Sequence, residues 1–193
     1  MDLIPIKKTA KVILIGNSCV GKTSILLQLY KNIFDKDVEP TIGTSYITKI
    51  MQVSNKTVPL HIWDTAGQER FQSVIPMYMR GASAAVIVCA TDSLESVQSL
   101  DKWYQMAQDA SYNANFYVVL NKIDIESIFD PNIPGNWARD HNFKFYKTTA
   151  KDFENINQLF LEIAEDILRT DSSFSIQTRK ENTIDEKTQN NCC

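Results

Sequence analysis

Residues 16–23 read Gly-Asn-Ser-Cys-Val-Gly-Lys-Thr and come directly after the apolar run Val12-Ile13-Leu14-Ile15. The pattern, Gly, four residues, then Gly-Lys-Thr, constrains the fold on both sides of itself. It needs a buried strand before it and a helix after it, and Ile25, Leu26 and Leu29 supply the helical spacing. Glycines let the backbone wrap so that several N–H groups converge on a di- or triphosphate. The new helix points the positive end of its dipole at the same anion. Lys22 is then placed to reach the β- and γ-phosphates, and the Thr23 hydroxyl to ligate Mg²⁺. Asn17, Ser18, Cys19, Val20, Gly21 and Ser24 complete the expected phosphate cradle.

With 193 residues, the chain reads as one domain plus a tail. Its net charge of −3 gives no electrostatic case for nucleic acid as a partner. Cys19, Cys89, Cys192 and Cys193 form no C-x-x-C framework, which argues for free thiols in a reducing compartment. Residues 1–11 lack a signal-like apolar segment, and the near-apolar stretch 82–90 is too short to span a bilayer.

Between these limits, strand-like and helix-like segments alternate. Strands are expected at 11–15, 46–53, 58–63, 84–89, 116–120 and 143–146, with a hairpin turn at Ser54-Asn55-Lys56. Helices are expected at 21–33, at 94–110 and through Ile156, Leu159, Phe160, Ile163, Ala164 and Ile167, the last with Asp152 as its N-cap. This alternation implies an α/β sheet covered on both faces, with ligands at the carboxyl ends of its strands. Residues 1–10 read as an extension, 11–170 as the domain, and 171–193 as a disordered tail poor in large apolar side chains.

Four further motifs come after predicted strands or helices. Asp64-Thr65-Ala66-Gly67-Gln68-Glu69 offers a carboxylate for Mg²⁺, directly or through water. In the same run, Gly67 N–H can approach a γ-phosphate, and Gln68 can orient an attacking water. Asn121-Lys122-Ile123-Asp124 places a carboxylate where it can accept from guanine N1–H and the exocyclic amine, a donor pair that adenine lacks. Asn121 would bind the base or tie its loop to residues 16–23, and the Lys122 stem would pack along the purine. The N–H groups of Thr149-Ala150-Lys151 can reach the guanine O6. Finally, Pro40 keeps Glu39 out of the helical region, so residues 34–43 form a loop from which Thr41 can reach Mg²⁺ and a γ-phosphate.

With these motifs in order, residues 8–168 resemble the Ras superfamily of small GTPases and, within it, the Rab family. Rab-like details are Thr41-Ile42-Gly43, Trp63 before Asp-Thr-Ala-Gly-Gln-Glu-Arg-Phe, Arg80-Gly81-Ala82 and the final Cys-Cys. The resemblance implies a six-stranded, mostly parallel sheet with one antiparallel edge strand and five helices. It also implies that Phe34 packs edge-on against guanine. Ile42, Gly43, Tyr46, Trp63 and Tyr78 become the effector surface. Ser18 stands where Ras has Gly, though Ser is usual among Rabs; the chain departs from the usual pattern at Thr44-Ser45, at Met79 and at Thr149, and none of these removes a phosphate or Mg²⁺ contact.

The resemblance thus implies a GTP/GDP switch acting in vesicle traffic. Two loops order around the γ-phosphate and relax when it is lost. Residues 34–41 contain no arginine, so hydrolysis is expected to be slow alone and about 10³–10⁵-fold faster with an arginine in trans. The resemblance implies two geranylgeranyl groups on Cys192 and Cys193; the tail has no basic patch, and one lipid alone would anchor only marginally, which agrees with a need for both. The implied partners are an exchange factor, a GTPase-activating protein, a GDP-dissociation inhibitor, a prenylation escort protein and trafficking effectors. The expected protein is a monomer on the cytoplasmic face of an intracellular membrane, cycling with cytosol. The competing classes are a binding module that holds GTP without turnover, opposed by Gln68, and a P-loop metabolic kinase, opposed by the Asp64 and Asp124 motifs. A GTPase of Ras or Ran type outside vesicle traffic is opposed by the Cys-Cys pair.

Overall fold

The first strand, β1 (Ala10–Ile15), is hydrogen-bonded on both sides by parallel partners, and every residue except Lys11 is buried. A strand covered on both faces favours apolar side chains on either side, which is why residues 12–15 read as an unbroken apolar run. The computed structural model describes residues 9–39, 41, 43–67, 73–111, 113–171 and 176–177. Next come α1 (Lys22–Lys31), β2 (Thr44–Val53), β3 (Lys56–Thr65), α2 (Ile75–Met79), β4 (Ala84–Ala90), α3 (Leu94–Gln98), α4 (Leu100–Ala110) and β5 (Asn115–Asn121). Beyond these lie α5 (Ile133–Asp140), β6 (Lys144–Lys147), α6 (Phe153–Thr170) and the two-residue β7 (Ile176–Gln177).

The strand order is β2-β3-β1-β4-β5-β6, with β2 antiparallel to β3 and the other neighbours along this path parallel. The expected α/β sheet with one antiparallel edge strand is therefore present. Side chains alternate across it. Val12, Leu14, Val86, Val88, Tyr117 and Val119 pack with α1 and α6 on one face. Ile13, Ile15, Ile87, Cys89, Val118 and Leu120 pack with α2, α4 and α5 on the other. The order reverses at β1, so the chain emerges from β1, β3, β4 and β5 at one end of the sheet, where a ligand crevice forms.

Several elements differ from the sequence expectation. The helix expected over 94–110 is two helices, because the Ser99 hydroxyl donates back to the Glu95 carbonyl at 2.8 Å and the backbone turns there. Six helices thus occur among the described residues rather than five. The buried face of α4 is Leu100, Trp103 and Ala107, and the side chains of Leu94 and Tyr104 sit nearer the surface. The short helices α2 and α5 lacked a sequence signal, since five and eight residues are too few to show a helical period. Asp152 caps α6 as expected, accepting from Asn155 N–H at 3.2 Å. Within the tail expected to be irregular, β7 pairs with Lys56 and Thr57 of β3, while 172–175 and 178–193 lie outside the described residues.

Candidate functional site

Residues 16–23 leave β1 and open α1. Gly16 has φ +139°, and a Cβ there would strike the Val88 carbonyl of β4. Gly21 has φ +93°, and a Cβ there would strike the Asn121 amide. Both positions therefore need glycine, and the loop is pressed against β4 and the end of β5 as a result. No side chain among the described residues caps the start of α1, so its first-turn N–H groups are left for an anion.

Lys22 is almost wholly buried. Its ammonium donates to the carbonyls of Gly16, at 2.8 Å, and Asn17, at 2.6 Å. Burial pulls its pKa down to about 8, opposed in part by Asp64 and Cys19. Two of its three N–H donors are thus spent on orienting the side chain, and one is left for a ligand.

Thr23, Thr41 and Asp64 come together from three elements. The Thr23 hydroxyl donates to Asp64 Oδ2 at 2.7 Å and the Thr41 hydroxyl at 3.0 Å, and the two hydroxyl oxygens are 2.8 Å apart. Two hydroxyl protons cannot satisfy three oxygen–oxygen contacts. Asp64 Oδ1 is also buried with no hydrogen-bond partner among the described residues. Burial raises the Asp64 pKa, against the opposing pull of the two hydroxyls and Lys22. A crowd of hard oxygens with one unmet carboxylate atom fits a hard cation. Among the described residues no three His, Cys, Asp or Glu side chains cluster as a metal cage. One carboxylate and two hydroxyls instead match Mg²⁺, which keeps waters and shares its ligands with phosphate.

A cleft of about 490 Å³ runs from this cluster to the ends of β5 and β6. It is lined by Ser18, Cys19, Gly21, Lys22, Thr23, Ser24, Thr41 and Gly67 at one end. Phe34, Asn121, Lys122, Asp124, Thr149, Ala150 and Lys151 line the other. Gly67 sits so close to the loop that a Cβ would land on the Asn17 carbonyl and the Ser18 amide.

At the far end, Asp124 accepts from the Thr149 hydroxyl at 2.6 Å and pairs with Lys151 at 2.5 Å. Burial alone would raise its pKa, but these donors hold it below the usual carboxylate value. Lys151 also lies over the Phe34 ring, 5.4 Å from its centroid. Of the two roles open to Asn121, the geometry gives the tether: its amide donates to Val20 carbonyl at 2.9 Å and accepts from Thr148 at 3.1 Å. Lys122 is fixed by an ion pair with Asp92 at 2.8 Å. Asp92 also lines the cleft but belongs to none of the sequence motifs; its only signal was its place just beyond an apolar strand.

Asn17, Val20 and Asp64 do not line the cleft themselves. Val20 and Asp64 are buried behind it, and the Asn17 side chain turns away to α3 and α4. Gln68 and Ile42 lie outside the described residues, as do Cys192 and Cys193.

Tyr46 and Trp63 are directly paired across β2 and β3, and their rings stack at 5.0 Å. Tyr78 of α2 approaches Trp63 at 6.2 Å. Tyr46 is more than half exposed. Gly43, beside this cluster, has φ +79° and its carbonyl accepts from Ala66 N–H at 3.0 Å. The segment before β2 is thereby linked to the one after β3.

The family model described as the Ras family matches residues 11–169, which is most of the chain and contains the whole cleft. The chain belongs to the Ras family. Within it, the similarity is to Rab proteins. The chain is 38% identical over 168 residues to the Ras-related protein Rab-22A of Homo sapiens, covering 85% of this chain and 86% of that one. It is 38% identical to the Ras-related protein Rab5 of Nicotiana tabacum over 164 residues, 83% of this chain and 82% of the other. With the Ras-related protein RABG3a of Arabidopsis thaliana it shares 36% over 176 residues, 86% and 85% respectively. It is thus a Rab GTPase, a hydrolase of the Ras superfamily.

Proposed function

We propose that this Rab GTPase is a guanine-nucleotide switch that recruits effectors in vesicle traffic while GTP is bound. One observation carries the reading. A single cleft has the Thr23 and Thr41 hydroxyls, backed by the buried Asp64 carboxylate, at one end and an ionised carboxylate, Asp124, at the other. That arrangement suits a phosphorylated purine nucleoside whose base offers two donors.

Residues 16–24 cradle the phosphates, and Lys22 gives its remaining N–H to them. Thr23, Thr41 and Asp64 would hold Mg²⁺, which when bound would supply neutralising charge to the phosphates. Asp124 accepts from the base, Asn121 keeps the base loop registered on the phosphate loop, and Phe34, Lys122 and the 149–151 loop enclose the ring. Thr41 and Gly67 belong to segments that are joined through Gly43 and Ala66. A third phosphate therefore draws both inward, and its hydrolysis releases both. The Tyr46, Trp63 and Tyr78 cluster lies on the strands and helix attached to those segments, so its presentation depends on the nucleotide.

Residues 11–170 form the nucleotide domain in this reading, and 171–193 a tether. Among the described residues no helix is long and apolar enough to cross a membrane. Prenyl groups on Cys192 and Cys193 supply the attachment, on the cytoplasmic face of an intracellular membrane. Exchange factor, activating protein, dissociation inhibitor and escort protein complete the cycle.

Single-turnover GTP hydrolysis by the purified full chain tests the reading. Wild type is expected to be slow alone and about 10³–10⁵-fold faster with a Rab-activating protein that donates an arginine. Gln68→Leu should stay loaded. Fast hydrolysis without a partner, or normal hydrolysis by Gln68→Leu, contradicts it.

A further inference from the structure

Asn17 sits inside the loop 16–23, yet its side chain points away from the cleft. The Trp103 indole N–H of α4 donates to Asn17 Oδ1 at 2.7 Å, and Asn17 Nδ2 donates to Glu95 Oε1 of α3 at 3.3 Å. The Asn17 backbone faces the other way. Its carbonyl accepts the Lys22 ammonium at 2.6 Å and lies where any Cβ on Gly67 would fall. One residue thus joins the α3–α4 pair to two groups that meet the phosphates.

The chemistry of the three partners is matched. An indole N–H can only donate and a carboxylate can only accept, so the residue between them must do both. An amide does. A carboxylate at position 17 would still accept from Trp103 but would repel Glu95, and an apolar residue would strand the indole N–H of a fully buried Trp103. Trp103 itself is fully buried in the apolar cluster that also contains Ile13, Ile15, Ile87, Cys89 and Val118 of the sheet, so it makes a rigid post. Glu95 lies just beyond Ser93, whose hydroxyl caps α3 by accepting from Ser96 N–H.

Resting on the nucleotide reading above, we propose that Trp103 and Glu95 are positioning residues. Through Asn17 they set the height of the phosphate loop against Lys22 and Gly67, and so govern how long nucleotide stays bound. The outer surface of α3, which carries the exposed end of this chain of contacts, becomes a place from which nucleotide release can be altered without touching the cleft.

The test measures GDP release from the full-length protein in Mg²⁺ for wild type, Asn17→Ala, Trp103→Phe, Glu95→Ala, Asn17→Ala/Trp103→Phe, Asn17→Asp and Asn17→Asp/Glu95→Gln. Loss of the positioning hydrogen bonds should speed release about tenfold in Asn17→Ala and Trp103→Phe. The double variant should be no faster than either single variant, because both break the same link. Glu95→Ala, on the surface, should give about a threefold increase with an unchanged melting temperature. Asn17→Asp should release faster, and Glu95→Gln should restore it by removing the repulsion while keeping a polar partner. Additive effects, an Asn17→Asp variant that Glu95→Gln fails to rescue, or release at the wild-type rate in Asn17→Ala would overturn the proposal. If Trp103→Phe does not fold, the Asn17 and Glu95 variants still decide. Wild type that binds no GDP would instead sink the nucleotide reading itself.

Discussion

The hydroxyls of Thr23 and Thr41 stand 2.8 Å apart and share one oxygen of Asp64. One lies in the first turn of α1 and the other in the segment leading to β2, so the carboxylate from β3 is what gathers them. Without the Asp64 carboxylate the cluster loses its only formal charge. In Asp64→Ala, the gain in GDP affinity on adding Mg²⁺ should shrink about 10–100-fold. Equilibrium binding with and without a chelator measures it, and an undiminished Mg²⁺ effect contradicts the assignment.

Gly67 has no room for a side chain against the Asn17 carbonyl. Gly67→Ala must push its segment away from the phosphate loop, which harms only a ligand that needs that segment close. Affinity for a non-hydrolysable GTP analogue should fall about tenfold or more, with GDP affinity within about threefold of wild type. Equal losses for both nucleotides would show that Gly67 does not sense the third phosphate.

Asp124 can accept from two donors on guanine, one of which hypoxanthine lacks. Wild type should therefore prefer GDP to IDP, and Asp124→Ala should lose most of that preference as well as affinity. A site built around a hydrogen bond discriminates by up to about 10⁴–10⁵-fold. Competition against a fluorescent GDP gives the ratio. An unaltered GDP/IDP ratio in Asp124→Ala places the base elsewhere.

The pH dependence at that end stems from Lys151. Burial works against ionised Asp124, and the Lys151 and Thr149 contacts outweigh it, so its pKa lies below the reference 3.8. A depressed carboxyl pKa means that its contribution is present above the reference value and fades as pH falls through the folded value. Lys151→Ala removes the main opposing donor and moves that loss to higher pH. The ratio of wild-type to Lys151→Ala affinity for GDP should widen as pH drops from about 7 to about 4. A constant ratio contradicts the coupling.

Much of the fold and cleft was legible in the sequence because each motif sits where backbone geometry and chemistry demand the same residue. Gly16 and Gly21 announce themselves, since no other side chain survives at φ +139° or +93° against a neighbouring strand. The alternation of apolar runs placed β1, β4 and β5, as buried strands have no polar face to confuse the pattern. The break at Ser99 was not legible, because serine fits a helix interior and its return bond to Glu95 is a local competition that periodicity cannot see. The contact of Trp103 with Asn17 spans 86 residues, and only the fold brings them together. The orientation of the Asn17 side chain was hidden for the same reason, as its neighbours in the motif serve the cleft.

A third phosphate should draw the Thr41 and Gly67 segments onto the nucleotide, and the switch stands or falls on that movement. Amide hydrogen exchange on the full-length protein, compared between GDP and a non-hydrolysable GTP analogue in Mg²⁺, detects it. Exchange should slow in the GTP-analogue state at Thr41, Gly43, Ala66 and Gly67, and stay unchanged in β4 and β5. Identical exchange at those four residues in the two states would contradict the switch.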